Sequence, residues 1–328
     1  MKKLFFGILA MAAMAACATE ETVVASKGDA IEFGNAFVDN SVRATDPTYS
    51  GETKELEAIN VYGAINDNVV IFNATPVTGS VGSGVWTCDV TQYWIKGANY
   101  KFAAVADVAN LTNDVHCVNG IPTAIFYNAS VLDSNSVQRD LLYAYVKRDD
   151  VKPTYTAVDF SFRHLLAKVN VTFQNTTEGA EDDYNIDVKD ITITDPYKSA
   201  TCNITHNDNG TWTPAWLETP ADAVVVDPNY TVQFGNILNV KNGADATVAV
   251  EKLLIPTTRD LTITFTVDIC NGDDVITTNT YEKKITTDLL PGYSYNVVIK
   301  QSLGSKIEFT VSADPTWTSS TQNDEIQL

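Results

Sequence analysis

Leu261-Thr262-Ile263-Thr264-Phe265-Thr266-Val267-Asp268-Ile269 is the stretch that decides the fold. Apolar residues hold every odd position and polar ones every even position. A period of two describes a strand with one face in a core and the other in water. The alternation recurs in Ala167, Val169, Val171 and Phe173, set against Lys168, Asn170 and Thr172. It recurs again in Tyr293, Tyr295, Val297 and Ile299, and in Ile307, Phe309 and Val311. Residues 58–63 and 69–73 flank the polar turn Asn66-Asp67-Asn68, and residues 90–95 and 99–106 flank Lys96-Gly97-Ala98. Both read as hairpins. Helical signals are confined to residues 138–146 and 162–168, a turn or two each, and no apolar stripe of helical period lasts three turns. Many short strands parted by Gly, Asn, Asp and Pro predict an all-β chain built from β-sandwiches.

The 328 residues give room for two domains of ordinary size. The run Arg148-Asp149-Asp150-Val151-Lys152-Pro153 is charged, carries a proline and parts two strand-rich halves. It predicts an N-terminal β-sandwich over 44–152 and a C-terminal one over 153–328. Ahead of them, Met1-Lys2-Lys3 and an apolar run from Leu4 to Ala16 read as a secretory signal peptide over 1–16, too short to span a bilayer. Ala15, Ala16 and Cys17 resemble a bacterial lipobox, in which the cysteine takes acyl chains, palmitate among them, and becomes the new N-terminus. Each buried methylene then contributes about 0.8 kcal/mol, and several chains together hold the protein to a membrane. Glu20 and Glu21 behind Cys17 resemble the export signal of lipoproteins on the outer face of the outer membrane. Residues 17–43 are thus expected to be a lipidated leading segment that includes a first strand at 30–38.

Formal net charge is −19, which repels phosphate backbones and excludes nucleic acid as an expected partner. Beyond Cys17 stand Cys88, Cys117, Cys202 and Cys270, with no CxxC and no metal spacing. They read as buried apolar cysteines or one disulfide. His116-Cys117 and Cys202 with His206 are the nearest approaches to a ligand pair. The chain has three histidines and no GxSxG, HExxH or phosphate loop, so it reads as no enzyme, with no metal and no cofactor. His164, at the edge of a strand, reads as structural. Asp182-Asp183 and Asp273-Asp274 read as solvated turn carboxylates, with a calcium site the alternative. Trp212 and Trp216 pack a loop or, alternatively, form an aromatic platform for sugar.

Several stretches, in order, resemble the fimbrillin-like proteins of Bacteroidetes, the subunits of type V pili and their shorter Mfa-like relatives. They are Ser41-Val42-Arg43-Ala44-Thr45; Trp86-Thr87 leading to Tyr93-Trp94 and Tyr100-Lys101-Phe102-Ala103-Ala104; Asp140-Leu141-Leu142-Tyr143-Ala144; and Val158 through Val169. Leu254-Ile255-Pro256, Leu290-Pro291-Gly292-Tyr293-Ser294-Tyr295, Ile307 to Val311 and Trp317 complete the set. The resemblance implies two tandem transthyretin-like β-sandwiches and a non-enzymatic subunit of a surface fimbrium serving cell adhesion. It implies outer-membrane localisation through the lipid before maturation, and other fimbrial subunits as partners.

The resemblance also implies an assembly route. A trypsin-like protease cuts after an arginine, the first strand leaves, and a strand from a neighbouring subunit fills the groove. Here the cut falls between Arg43 and Ala44, in a polar stretch that suits such a protease. The displaced strand carries Ile31, Phe33 and Phe37. Loss of the signal peptide with Lys2 and Lys3 takes the charge from −19 to −21, and removing the lipid anchor with residues 17–43, which hold five acids and two bases, leaves a chain of charge −18. A replacement strand seating four or five apolar side chains at roughly 1.5–3 kcal/mol each contributes about 6–15 kcal/mol, the scale of strand addition into a lasting fibre. Two donors are expected: Ile307, Phe309 and Val311, released from their own domain, or Ile326 and Leu328 at the C-terminus. The alternative from another class is a surface-anchored glycan-binding lipoprotein, resting on Trp212 and Trp216.

Overall fold

The computed structural model describes residues 29–38, 45–46, 54–55, 58–79, 86–106, 115–129, 140–151, 157–177, 184–218, 224–225, 227, 230–241, 247–302 and 306–315. The signal peptide, Cys17, Arg43, Ala44, Asp182, Asp183, Trp317, Ile326 and Leu328 lie outside the described residues, as does the side chain of Phe37. All twenty-two regular elements among the described residues are strands. The first eleven are β1 (Phe33–Val38), β2 (Thr45–Asp46), β3 (Lys54–Glu55), β4 (Ala58–Ile65), β5 (Val69–Gly79), β6 (Trp86–Cys88), β7 (Tyr100–Ala106), β8 (Val115–Val118), β9 (Ile121–Asn128), β10 (Leu142–Arg148) and β11 (Val158–His164). The second eleven are β12 (Ala167–Asn175), β13 (Tyr184–Thr194), β14 (Ser199–His206), β15 (Trp212–Trp216), β16 (Val224–Val225), β17 (Thr231–Lys241), β18 (Thr247–Leu254), β19 (Leu261–Asn271), β20 (Asp274–Ile285), β21 (Ser294–Gln301) and β22 (Glu308–Asp314).

The C-terminal half is a sandwich of two four-stranded sheets, β18-β12-β21-β22 and β17-β13-β19-β20. Their facing residues are those the period of two selects: Val169, Val171 and Phe173 from β12, Ile263, Phe265 and Val267 from β19, and Tyr295, Val297 and Ile299 from β21. The N-terminal half goes further than a pair of sheets. Its strands close in the order β1-β11-β10-β7-β4-β5-β6, with β6 returning to β1. The decisive joint is β1, which pairs β11 on one side and β6 on the other. Val158–His164, which lies past the expected division at 152, therefore belongs to the barrel.

A further sheet, β15-β14-β9-β8, lies along the outside of the barrel, with β16 pairing β14 beside β15. It draws β8 and β9 from the first half and β14 and β15 from the second, joined through Ser199↔Asn128 to Asn203↔Ala124. Between sheet and barrel sit Tyr62, Val105, Tyr143, Ile125 and Cys202. Strands β4, β7 and β10 are thus covered on both faces. This explains the apolar run Phe102-Ala103-Ala104-Val105-Ala106, whose two faces are both buried. It also corrects two expectations. The short helical signals at 138–146 and 162–168 fall mainly in β10, the end of β11 and the start of β12; in β10 the residues are buried on both sides and lose the alternation that marks a strand. Residues 90–95 form no strand; Tyr93 bridges Ala30, and Trp94 packs into the barrel core against Tyr100 and Phe102.

Candidate strand-exchange site

The seat of β1 is built from aromatic rings. Ile31 and Phe33 are 6% and 4% exposed. The Phe33 ring meets Phe72 edge-on at 5.4 Å and Phe102 at 6.5 Å, and stacks on Phe160 at 5.9 Å. The backbone is tied at the start of the strand. Ile31 N donates to Gln92 O at 2.8 Å, Trp94 N to Asp29 O at 3.2 Å, and Val158 N to Glu32 O at 2.9 Å. From Phe33 onward the strand runs parallel to β11, through Phe33↔Val158, Ala36↔Phe160, Phe37↔Ser161 and Val38↔Phe162. Its other neighbour is reached at one pair, Phe33↔Trp86. So β1 is held on both sides at its beginning and on one side afterward. Gly34 lies close against β11: a Cβ there would stand 2.1 Å from Asp159 Oδ1.

Without β1 the barrel opens. β6 and β11 become free edges with unpaired N–H and C=O groups, and the Phe72, Phe102 and Phe160 rings meet water. Burying Ile31 and Phe33 stabilises the closed barrel by roughly 1.5–3 kcal/mol each. Residues 30–38 therefore lie inside the sheet, and removing them leaves a slot of one strand's width.

Strand β22 is the described part of the expected donor set. Among the described residues it lies at the edge of its sheet, pairing β21 alone through Tyr295↔Ala313, Val297↔Val311 and Ile299↔Phe309. Ile307, Phe309, Val311 and Ala313 pack on the sandwich core while staying half-buried. Its neighbour β21, paired on both sides, buries Tyr295, Val297 and Ile299 to 1% exposure or less.

The remaining residues singled out from the sequence have structural partners. His164 Nδ1 is bonded to the Asp140 carboxylate, whose second oxygen accepts from Leu141 N at 2.7 Å; Asp140 is 1% exposed. Trp212 is buried, with the Arg163 guanidinium 3.8 Å above its ring and donating to its carbonyl at 2.6 Å. Trp216 is half-buried and donates its indole N–H to Leu165 O at 2.7 Å. The two tryptophans knit β15 to the end of β11 and present no open platform, which removes the support for the sugar-binding reading. His206 stands against Tyr143, whose hydroxyl lies 2.7 Å from Nε2. Burial, and secondarily Lys101, lowers the His206 pKa to about 4. Burial holds the Tyr143 hydroxyl far above its ordinary range, so a protonated hydroxyl meets a neutral imidazole. Cys88, Cys117, Cys202 and Cys270 are free thiols. Burial pushes Cys117 up to about 11 and Cys202 up to about 12. Among the described residues no three His, Cys, Asp or Glu side chains stand together as a metal site.

A barrel closed by a leading strand thus stands beside a sandwich that ends, among the described residues, in a half-buried edge strand. The fimbrillin-like family matches residues 43–320, and the chain belongs to that family. The match begins after β1 and takes in every later strand. Solved structures share the fold. A fimbrial protein from Bacteroides vulgatus is 16% identical, with 87% of this chain and 98% of that one covered at a TM-score of 0.55. A cell adhesion candidate from Bacteroides uniformis is 17% identical, covering 87% and 97%, also at 0.55. No curated protein matches the chain.

Proposed function

We propose that this chain is a structural subunit of a cell-surface fimbrium, serving adhesion, that reaches the outer membrane as a lipoprotein and joins its neighbours by strand exchange. The observation that carries the reading is β1. One short strand closes the barrel, its seat is lined by rings, and the polar stretch with Arg43 follows it. Lipidation at Cys17 holds the precursor at the membrane. Cutting between Arg43 and Ala44 by a trypsin-like protease frees the body from the anchor and leaves β1 held only by non-covalent contacts. A strand from another fimbrial subunit then takes its place.

The position of β21 favours β22 as the donor over Ile326 and Leu328. β21 ends at Gln301, at the end of the sandwich far from the barrel, because β12, its parallel partner, starts beside β11 and runs away from it. β22 returns toward the barrel, ending at Asp314 opposite Ser294. A segment beyond Pro315 therefore sets out from the barrel side of the sandwich. Releasing β22 instead frees all the chain after Gln301 at the outer end.

The N-terminal residue of the protein recovered from cells tests this function. Ala44 is the expected outcome. A blocked Cys17 on all of the recovered protein would identify a retained lipoprotein and exclude maturation.

A further inference from the structure

The tripeptide Ile-Glu-Phe occurs twice in the chain, as Ile31-Glu32-Phe33 and as Ile307-Glu308-Phe309. The first copy enters the barrel at the start of β1. The second opens β22. In both, the glutamate is exposed and the two apolar residues point to one core, but the depth differs. Ile31 and Phe33 are buried to 6% and 4% exposure, whereas Ile307 and Phe309 are half-buried at the sheet edge.

We infer that these two segments are register equivalents: in strand exchange, Ile307-Glu308-Phe309 of a second copy occupies the seat of Ile31-Glu32-Phe33, running in the same direction, parallel to β11. The inference rests on the proposed strand exchange and fixes its register. Phe309 then fills the pocket between Phe72, Phe102 and Phe160 that the Phe33 ring occupies in the uncut chain. Ile307 follows Ile31, and Glu308 keeps to water as Glu32 does. Beyond Phe309 the seat shifts register against β11, between Phe33 and Ala36, so the equivalence is fixed at Ile307, Glu308 and Phe309.

Two physical arguments support the direction and the drive. First, the far end of the barrel, at Val38 and His164, adjoins the chain's own sandwich, since Leu165 and Leu166 lead at once into β12. A neighbour can approach only the end where Ile31 enters. A C-terminal segment arriving from that end advances toward Val38, as β1 does. Second, the exchange improves the donor's surroundings. On its own sandwich β22 has one hydrogen-bonded neighbour, whereas the seat offers β11 on one side and residues 86–94 on the other. Ile307 and Phe309 pass from half-buried to buried, which is favourable in proportion to the apolar area removed from water. One adjustment is required. Thr310 falls on Gly34, where a Cβ meets Asp159 Oδ1. Asp159 is exposed, so its carboxylate turns outward.

The test uses trypsin-cut full-length protein and labelled peptides spanning 306–315 and 29–38, with uptake read by fluorescence polarisation. Both peptides are expected to enter the barrel. Phe309→Ala should weaken the 306–315 peptide at least tenfold, while Glu308→Gln should change it less than threefold. Uptake of 29–38 without 306–315 would overturn the register and leave strand removal standing, as would equal binding by the Phe309→Ala peptide. Failure of both peptides would show that cutting vacates no seat, and the exchange reading would fall with the register.

Discussion

Phe33 touches three other rings, and no residue brought close by the local chain can replace it. Phe33→Ala in the uncut protein should lower stability by about 3–5 kcal/mol, the usual cost of emptying an aromatic core site, read by urea unfolding. A loss under 1 kcal/mol would mean that β1 does not complete the core. His206 gives a pH signature of its own. Its folded pKa is about 4 and its ordinary value 6.5, so the unfolded chain takes up the proton first as pH falls. Stability present above pH 6.5 is lost between there and pH 4. Allowing for partial solvent contact, the loss is on the order of 1–2 kcal/mol. His206→Gln keeps a hydrogen-bonding partner for Tyr143 and does not titrate, so its melting temperature should vary less over that window. An unchanged slope would contradict the assignment. None of this was legible in the sequence. His206 stood there beside Cys202 as a remote ligand candidate, and its true neighbour is Tyr143, sixty-three residues away.

Elements were legible where one face is wet. β19, β21 and β22 alternate as written because each shows polar side chains on one face; β12 alternates too, although Lys168, Asn170 and Thr172 on its polar face are buried. β10 was less so, and residues 90–95 were mistaken for a strand: Tyr93 and Ile95 stand two apart, but the segment pairs only at the single bridge Ala30↔Tyr93 among the described residues. The candidate site divides likewise. Residues 30–38 announced a strand through Ile31 and Phe33. That it lies parallel to β11 is a contact across more than a hundred residues that no local pattern encodes. An edge strand with one neighbour opens more readily than a central one. Amide hydrogens of β22 should therefore exchange faster than those of β12, measured by mass spectrometry on peptides covering each. Equal protection would argue against β22 as a segment poised to leave.

At the scale of the whole molecule the two halves are not beads on a string. β11 closes the first barrel from beyond the expected boundary, and β9 pairs β14 across it. A chain stopped at Lys152 keeps β1 to β10 and loses both partners. It leaves an open barrel and a bare edge on β9, and should be insoluble or aggregated by size-exclusion chromatography. A soluble folded monomer would contradict the shared architecture. The charge pattern and the two-half organisation were visible beforehand. The sheet that spans the halves was not, since β8, β9, β14 and β15 become one surface only after the chain has crossed between them.

The most direct measurement is to treat purified full-length protein with trypsin and follow it by denaturing electrophoresis without boiling. The account predicts a cut between Arg43 and Ala44, followed by a regular series of multimers in which one copy's strand occupies another's barrel. Complete cutting at Arg43 with the protein remaining monomeric at high concentration would contradict it.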